Sequence, residues 1–209
     1  MIHVINDALS PEKYKECLSI TEFHNGVVET ADEIPYKYLN ILISKAREIY
    51  PNLANAKSYE YWFRDFLEGI SQGLDWHFNC CEHKSDNSLA MPICSLIYCI
   101  RSEEDTSVVQ MRKYHGSNRI YSHSLKSNQL VIMGPAIWHR VKPGRCIRRQ
   151  TSLMDIYSEP TSGKYIVPFA VGNTKNYPVI KEMPLNIALE EQIERIHKEY
   201  YMHGGDVGI

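Results

Sequence analysis

The hydrophobic pattern of this chain has two regimes. Up to about residue 57 the apolar positions recur at helical spacing. From about Ser58 they alternate or run together, as they do in strands. Ser10-Pro11-Glu12-Lys13 reads as a helix start, with Ser10 as N-cap and Pro11 at the first helical position, where its missing N–H costs nothing. That helix is expected to run to about Phe23 and to stop before Asn25-Gly26. Tyr36, Leu39, Ile43, Ala46 and Ile49 share one helix face, which predicts a second helix over Pro35–Tyr50, ended by Pro51-Asn52. Beyond it, five segments read as strands: the aromatic Tyr59–Arg64, the apolar run Pro92–Ile100, Val108–Met111, Asn128–Gly134 and Arg149–Tyr157. Short strands with no helices between them predict a sandwich or jelly roll rather than a parallel α/β sheet. A closing helix is expected over Leu185–Tyr201, with Ile187, Ile193, Ile196 and Tyr200 on its apolar side. The expected fold is therefore α+β: one domain over residues 1–209, with a jelly-roll core at about 58–157, N-terminal helices and a C-terminal helix.

Composition narrows the functional classes. The chain has 209 residues, enough for one domain with a sizeable core, and 44% of them are hydrophobic. A formal net charge of −2 gives no general nucleic-acid signature. Met1-Ile2-His3-Val4-Ile5 is too short and too soon followed by Asp7 to read as a signal peptide, and no stretch is long and apolar enough for a membrane span. A reducing, cytoplasmic location is the expectation. The six cysteines Cys17, Cys80, Cys81, Cys94, Cys99 and Cys146 contain no C-x-x-C pair and are expected to be free thiols, mostly in strands. Cys80, Cys81, His83 and His77 match no common zinc spacing.

Two segments carry the candidate chemistry. One is Gly73-Leu74-Asp75-Trp76-His77-Phe78-Asn79. The other is Ile137-Trp138-His139-Arg140-Val141-Lys142-Pro143, followed by Arg148-Arg149-Gln150-Thr151. Together they resemble the 2-oxoglutarate/iron(II) oxygenase superfamily, nearest in style to its prolyl-4-hydroxylase-like branch. That family carries a His-x-Asp/Glu motif at a strand end, then a distal histidine in an H-x-V-x-P context, then a basic residue that grips the far carboxylate of 2-oxoglutarate. His139-Arg140-Val141-Lys142-Pro143 matches the distal motif without a gap. The likeness spans roughly residues 58–157. It implies a double-stranded β-helix, a metal centre at His77, Asn79 and His139, and cosubstrate contacts from Arg148 or Arg149 and from Tyr98, for which a place in the core is the rival reading. It also implies Fe(II), 2-oxoglutarate and O₂ as cofactors.

The chemistry asks for such residues. Neutral imidazoles suit iron and a carboxylate balances its charge, with coordination positions left open on one face. Arginine offers a planar, permanently charged fork to a carboxylate. Strand alternation lets only one of Arg148 and Arg149 point inward. The chain departs from the family pattern at Asn79, where the family has an acid. Asn79 ligates through its amide oxygen, or Asp75, Glu82 or Asp86 supplies the carboxylate, or an exogenous anion fills the position as in the halogenase branch. The expected function is hydroxylation of a small-molecule or peptide substrate. The alternatives are a halogenase-like or cupin-type enzyme, or a non-catalytic binding module. His83, His115 and His123 are expected at the surface, and Tyr59, Tyr61 and Phe63 either in the core or at a substrate mouth.

Overall fold

The computed structural model describes residues 2–70, 74–83, 85, 89–112, 118–135, 137–168 and 180–183. The expected closing helix over Leu185–Tyr201 lies outside the described residues. In chain order the elements are β1 (Ile2–Ile5), α1 (Pro11–Leu18), β2 (Gly26–Val28), α2 (Lys37–Ile49), β3 (Ser58–Ile70), β4 (Leu74–His77), β5 (Cys80–His83), β6 (Leu89–Ala90), β7 (Cys94–Glu103), β8 (Val108–Arg112), β9 (Tyr121–His123), β10 (Gln129–Met133), β11 (Trp138–Lys142), β12 (Arg145–Tyr157), β13 (Thr161–Pro168) and β14 (Ile180–Met183). Single 3₁₀ turns precede and follow α2. Among the described residues no helix is long and apolar enough to cross a membrane.

The helices form for the reasons their sequences give. Ser10 accepts a hydrogen bond from the Lys13 backbone N–H, and Pro11 opens α1. This helix is shorter than expected. Ser19 turns both its backbone N–H and its hydroxyl onto the Glu16 carbonyl, and the β-branched Ile20 and Thr21 follow. In α2, Tyr38, Leu39, Leu42, Ile43 and Ala46 are buried on one face. Each of the three aliphatic Leu39, Leu42 and Ile43 side chains contributes roughly 1.5–3 kcal/mol by leaving water.

The strands build three sheets. The first runs β1-β10-β7-β12-β3-β2, the second β4-β11-β8-β9, and the third β14-β13-β5-β6. The first two are antiparallel throughout. In the third, β13 and β14 pair in parallel. Period-two alternation gives the first sheet two differently covered faces. Leu96, Tyr98 and Ile100 of β7, Met154 and Ile156 of β12, and Tyr59 and Tyr61 of β3 pack under α1 and α2. Ile97 and Cys99 of β7 and Val131 and Met133 of β10 turn the other way, onto Val109 and Met111 of the second sheet. The candidate site lies in this inter-sheet layer.

Two local features fix the layer's edges. Asn128 has φ 59°, a left-handed conformation that asparagine tolerates. Its side chain bonds both the N–H and the carbonyl of Leu9, at 2.9 Å each. At the β11–β12 turn, a Cβ on Gly144 would strike the Thr106–Ser107 backbone, so only glycine permits that approach. The two loops are then tied by the Thr106 N–H to the Arg145 carbonyl at 2.8 Å and the Arg145 N–H to the Thr106 hydroxyl at 2.9 Å.

Candidate metal centre

Antiparallel pairing of β4 with β11 sets His77 directly opposite His139, residues far apart in sequence. The ring centroids are 4.1 Å apart with planes at 54°. His139 also faces Met111 across the β11–β8 pair. Opposed residues in a ladder point to the same side, and Met111 packs in the inter-sheet layer. Both imidazoles therefore face the first sheet, and both are buried. His139 Nδ1 is 3.0 Å from the Ile137 carbonyl. A carbonyl only accepts, so Nδ1 carries the proton and Nε2 keeps the lone pair that a metal needs. Burial pushes the His139 pKa down to about 4, with the Ile137 carbonyl opposing in part, so the ring is neutral at physiological pH. Phe78, between His77 and Asn79, is fully buried edge-on against Trp138 at 5.1 Å between centroids. The residue preceding one histidine thus packs on the residue following the other.

Asn79 is buried, with its amide nitrogen 3.0 Å from Asp155 Oδ1 and 3.2 Å from the Ser95 hydroxyl. Among the described residues no group of three His, Cys, Asp or Glu side chains is placed to hold a metal ion. The side chains of Asp75, Glu82 and His83, and the whole of Asp86 and His115, lie outside the described residues. His123 bonds the Gln129 side chain at 2.7 Å and is half-buried. All six cysteines are free and buried.

The two arginines separate cleanly. Arg148 leaves the sheet toward solvent and pairs with Asp65 at 3.0 Å. Arg149 is 4% exposed and turns into the inter-sheet layer. There it donates to the Ser107 hydroxyl, lies 3.5 Å from Asp105 Oδ2, and stacks over the Phe66 ring at 4.5 Å. The Asp105 N-terminal to β8 is held by the Ser107 N–H at 2.8 Å.

Tyr98 corrects an expectation. Alternation along β7 sends Ile97 and Cys99 into the layer and Tyr98 to the helical face. There it stacks near Tyr38 and donates to Asn128 Oδ1 at 3.0 Å, so it faces away from the imidazoles. Tyr59, Tyr61 and Phe63 likewise pack in the core under the helices. Two carboxylates were not foreseen. Asp155 and Glu60 face each other across β12 and β3, and both are buried. Burial raises the Glu60 pKa, opposed by hydrogen bonds from Cys81, Tyr157 and Thr161. Burial likewise pushes Asp155 up to about 7, opposed by Ser95 and Asn79. The signal lay in the strand pattern: Thr151, Leu153 and Asp155 share Arg149's face, so an acid was due inside.

Paired imidazoles between two antiparallel sheets define a candidate metal centre, with one buried arginine turned into the same inter-sheet layer. The chain matches no protein-family profile and no curated protein sequence. It is similar to an oxidoreductase of the 2OG-Fe(II) oxygenase family from Burkholderia pseudomallei, at 10% identity and TM-score 0.54, over 78% of this chain and 86% of that one. It is similar to a prolyl-4-hydroxylase from Pseudomonas putida, at 13% identity and TM-score 0.50, over 75% and 86%. It is also similar to a viral collagen prolyl hydroxylase of Paramecium Bursaria Chlorella virus-1, solved as a 2OG complex, at 10% identity and TM-score 0.50, over 75% and 94%. The fold of this chain is the fold these structures share.

Proposed function

We propose that the chain is an Fe(II)- and 2-oxoglutarate-dependent dioxygenase that hydroxylates a small-molecule or peptide substrate. The observation that carries this reading is the register of β4 on β11, which brings His77 and His139 together inside the sheet pair. The core is a double-stranded β-helix in this reading: β3, β12, β7 and β10 form one sheet and β4, β11, β8 and β9 the other, all antiparallel. Residues 1–209 constitute one such domain, and free buried cysteines suit a reducing, cytoplasmic setting.

The donor set fits a non-haem iron in two of its three protein positions, since both imidazoles are buried and His139 is held neutral with Nε2 available. Iron with 2-oxoglutarate and O₂ would supply the oxidising power needed to hydroxylate a C–H bond. The residues do the rest. His77 and His139 would hold the metal from adjacent strands of one sheet rather than from a loop. Arg149 and the Ser107 hydroxyl receive the distal carboxylate of 2-oxoglutarate in the dry inter-sheet layer, where a charge-assisted pair is strong. Arg148, turned to solvent and paired with Asp65, takes no part. Phe78 and Trp138 pack behind the imidazoles and exclude water from that side.

The test compares the wild-type protein with His139→Ala under anaerobic conditions. One Fe(II) per chain is expected in the wild type and none in the variant, with the circular dichroism unchanged. Wild-type protein given iron, 2-oxoglutarate and O₂ should also release succinate, as slow uncoupled turnover. Unaltered iron stoichiometry in His139→Ala would refute the metal assignment, and absence of 2-oxoglutarate binding would refute the cosubstrate.

A further inference from the structure

The carboxylate expected at position 79 is missing, yet a carboxylate stands one hydrogen bond behind it. Asp155 is fully buried, comes from the inner face of β12, and has Oδ1 3.0 Å from the Asn79 amide nitrogen. The Ser95 hydroxyl lies 3.2 Å from the same nitrogen. An amide has one donating and one accepting end. A carboxylate facing it must meet the donating end, so this contact fixes the amide's orientation and turns its oxygen away from Asp155. Asp155 Oδ2 has no hydrogen-bond partner within the described protein.

We propose that Asp155 is the positioning residue of the metal centre, orienting the Asn79 amide oxygen toward the cation held by His77 and His139. The proposal rests on the iron reading given above. A carboxylate that accepts from an amide N–H polarises that amide and makes its oxygen a better donor. The Asn79–Asp155 pair then replaces a single Asp ligand: a neutral oxygen in contact, with the carboxyl standing behind it on β12 of the first sheet. Partners behind a ligand in this way commonly change metal affinity by about 10–100-fold.

The test uses Co(II) alone, added to the full-length protein without oxygen or cosubstrate and followed by visible absorption and chelator competition. Asp155→Asn should weaken Co(II) binding by about tenfold or more. In an Asn79→Ala background, already weakened, the same change should have roughly no further effect, because Asp155 acts through Asn79. Asn79→Asp combined with Asp155→Asn should bind at least as tightly as wild type, since the charge is restored in direct contact. This double variant also decides the matter if Asp155→Asn alone does not fold. Equal binding by wild type and Asp155→Asn, an equal loss in both backgrounds, or weak binding by the folded double variant would overturn the proposal. His139→Ala separates the two claims: Co(II) binding that survives it overturns the metal reading itself, whereas binding lost in His139→Ala but untouched in Asp155→Asn overturns this inference alone.

Discussion

Replacing Arg149 by alanine should cost far more than replacing Arg148, although the two are neighbours with the same charge. The Arg149–Asp105 pair is out of water on both sides, with side chains 5% and 2% exposed. Removing the guanidinium leaves the Asp105 carboxylate buried without its counter-charge, strips the Ser107 hydroxyl of a donor, and uncovers the Phe66 ring. Breaking a buried pair from one side costs about 3–5 kcal/mol, most of it the stranded charge. Arg148 and Asp65 are 32% and 38% exposed, so solvent screens their attraction, and losing it costs about 0–1 kcal/mol. Urea denaturation at neutral pH measures both, provided the slopes agree. Arg149→Met with Asp105→Asn should recover much of the Arg149→Ala loss, because no charge is left stranded. Calorimetric titration with 2-oxoglutarate in the presence of Co(II) supplies the functional half: affinity falls by about 2–5 kcal/mol in Arg149→Ala and is unchanged in Arg148→Ala. Losses in stability that agree within error between the two single variants would show that Arg149 is not buried with Asp105, and the cosubstrate assignment would fall with it.

Further outcomes test other layers. Leu42→Ala removes a wholly buried side chain from the α2 face and should cost about 2–5 kcal/mol by denaturation, whereas a loss below 1 kcal/mol would place α2 off the sheet. Asn128→Ala strands the Leu9 N–H and carbonyl and puts alanine at φ 59°, for about 3 kcal/mol in total. Asn128→Gly keeps the backbone comfortable and should lose less, so the ranking of the two variants is the check. Glu60→Gln tests the buried acid by its pH dependence. A carboxyl whose folded pKa is raised binds its proton more tightly folded than unfolded. Its stabilising contribution is therefore complete below the unfolded pKa and is lost as pH rises through the folded value. The variant should hold its stability better than wild type as pH rises above the ordinary glutamate range, and parallel stability–pH curves would contradict the burial.

What the sequence disclosed depended on whether the deciding force was local. The Ser10 cap, the α2 face and the apolar strands were legible because propensity and period act over a few residues. His77 and His139 were legible by motif, but their meeting was not, since it depends on the register of two strands separated by six others. Which arginine turns inward depended on the same phase. Knowing that Thr151 and Leu153 face Arg149 is not enough without knowing which face α1 and α2 cover, and that choice is made by the whole apolar content of β7 and β12. Tyr98 stayed open between cosubstrate and core for that reason: its neighbours in sequence resemble a cosubstrate strand, and one step of alternation puts it in the core under the helices. β1 escaped because four half-buried residues at a sheet edge carry little pattern. The acid at position 155 was the most informative residue passed over. A carboxylate inside an apolar strand costs several kcal/mol unless something answers it. What answers Asp155 is Asn79, the residue that looked like a defect in the motif. The substitution at 79 and the buried acid at 155 are thus one feature, visible only once the segment after β4 is folded against β12 of the first sheet.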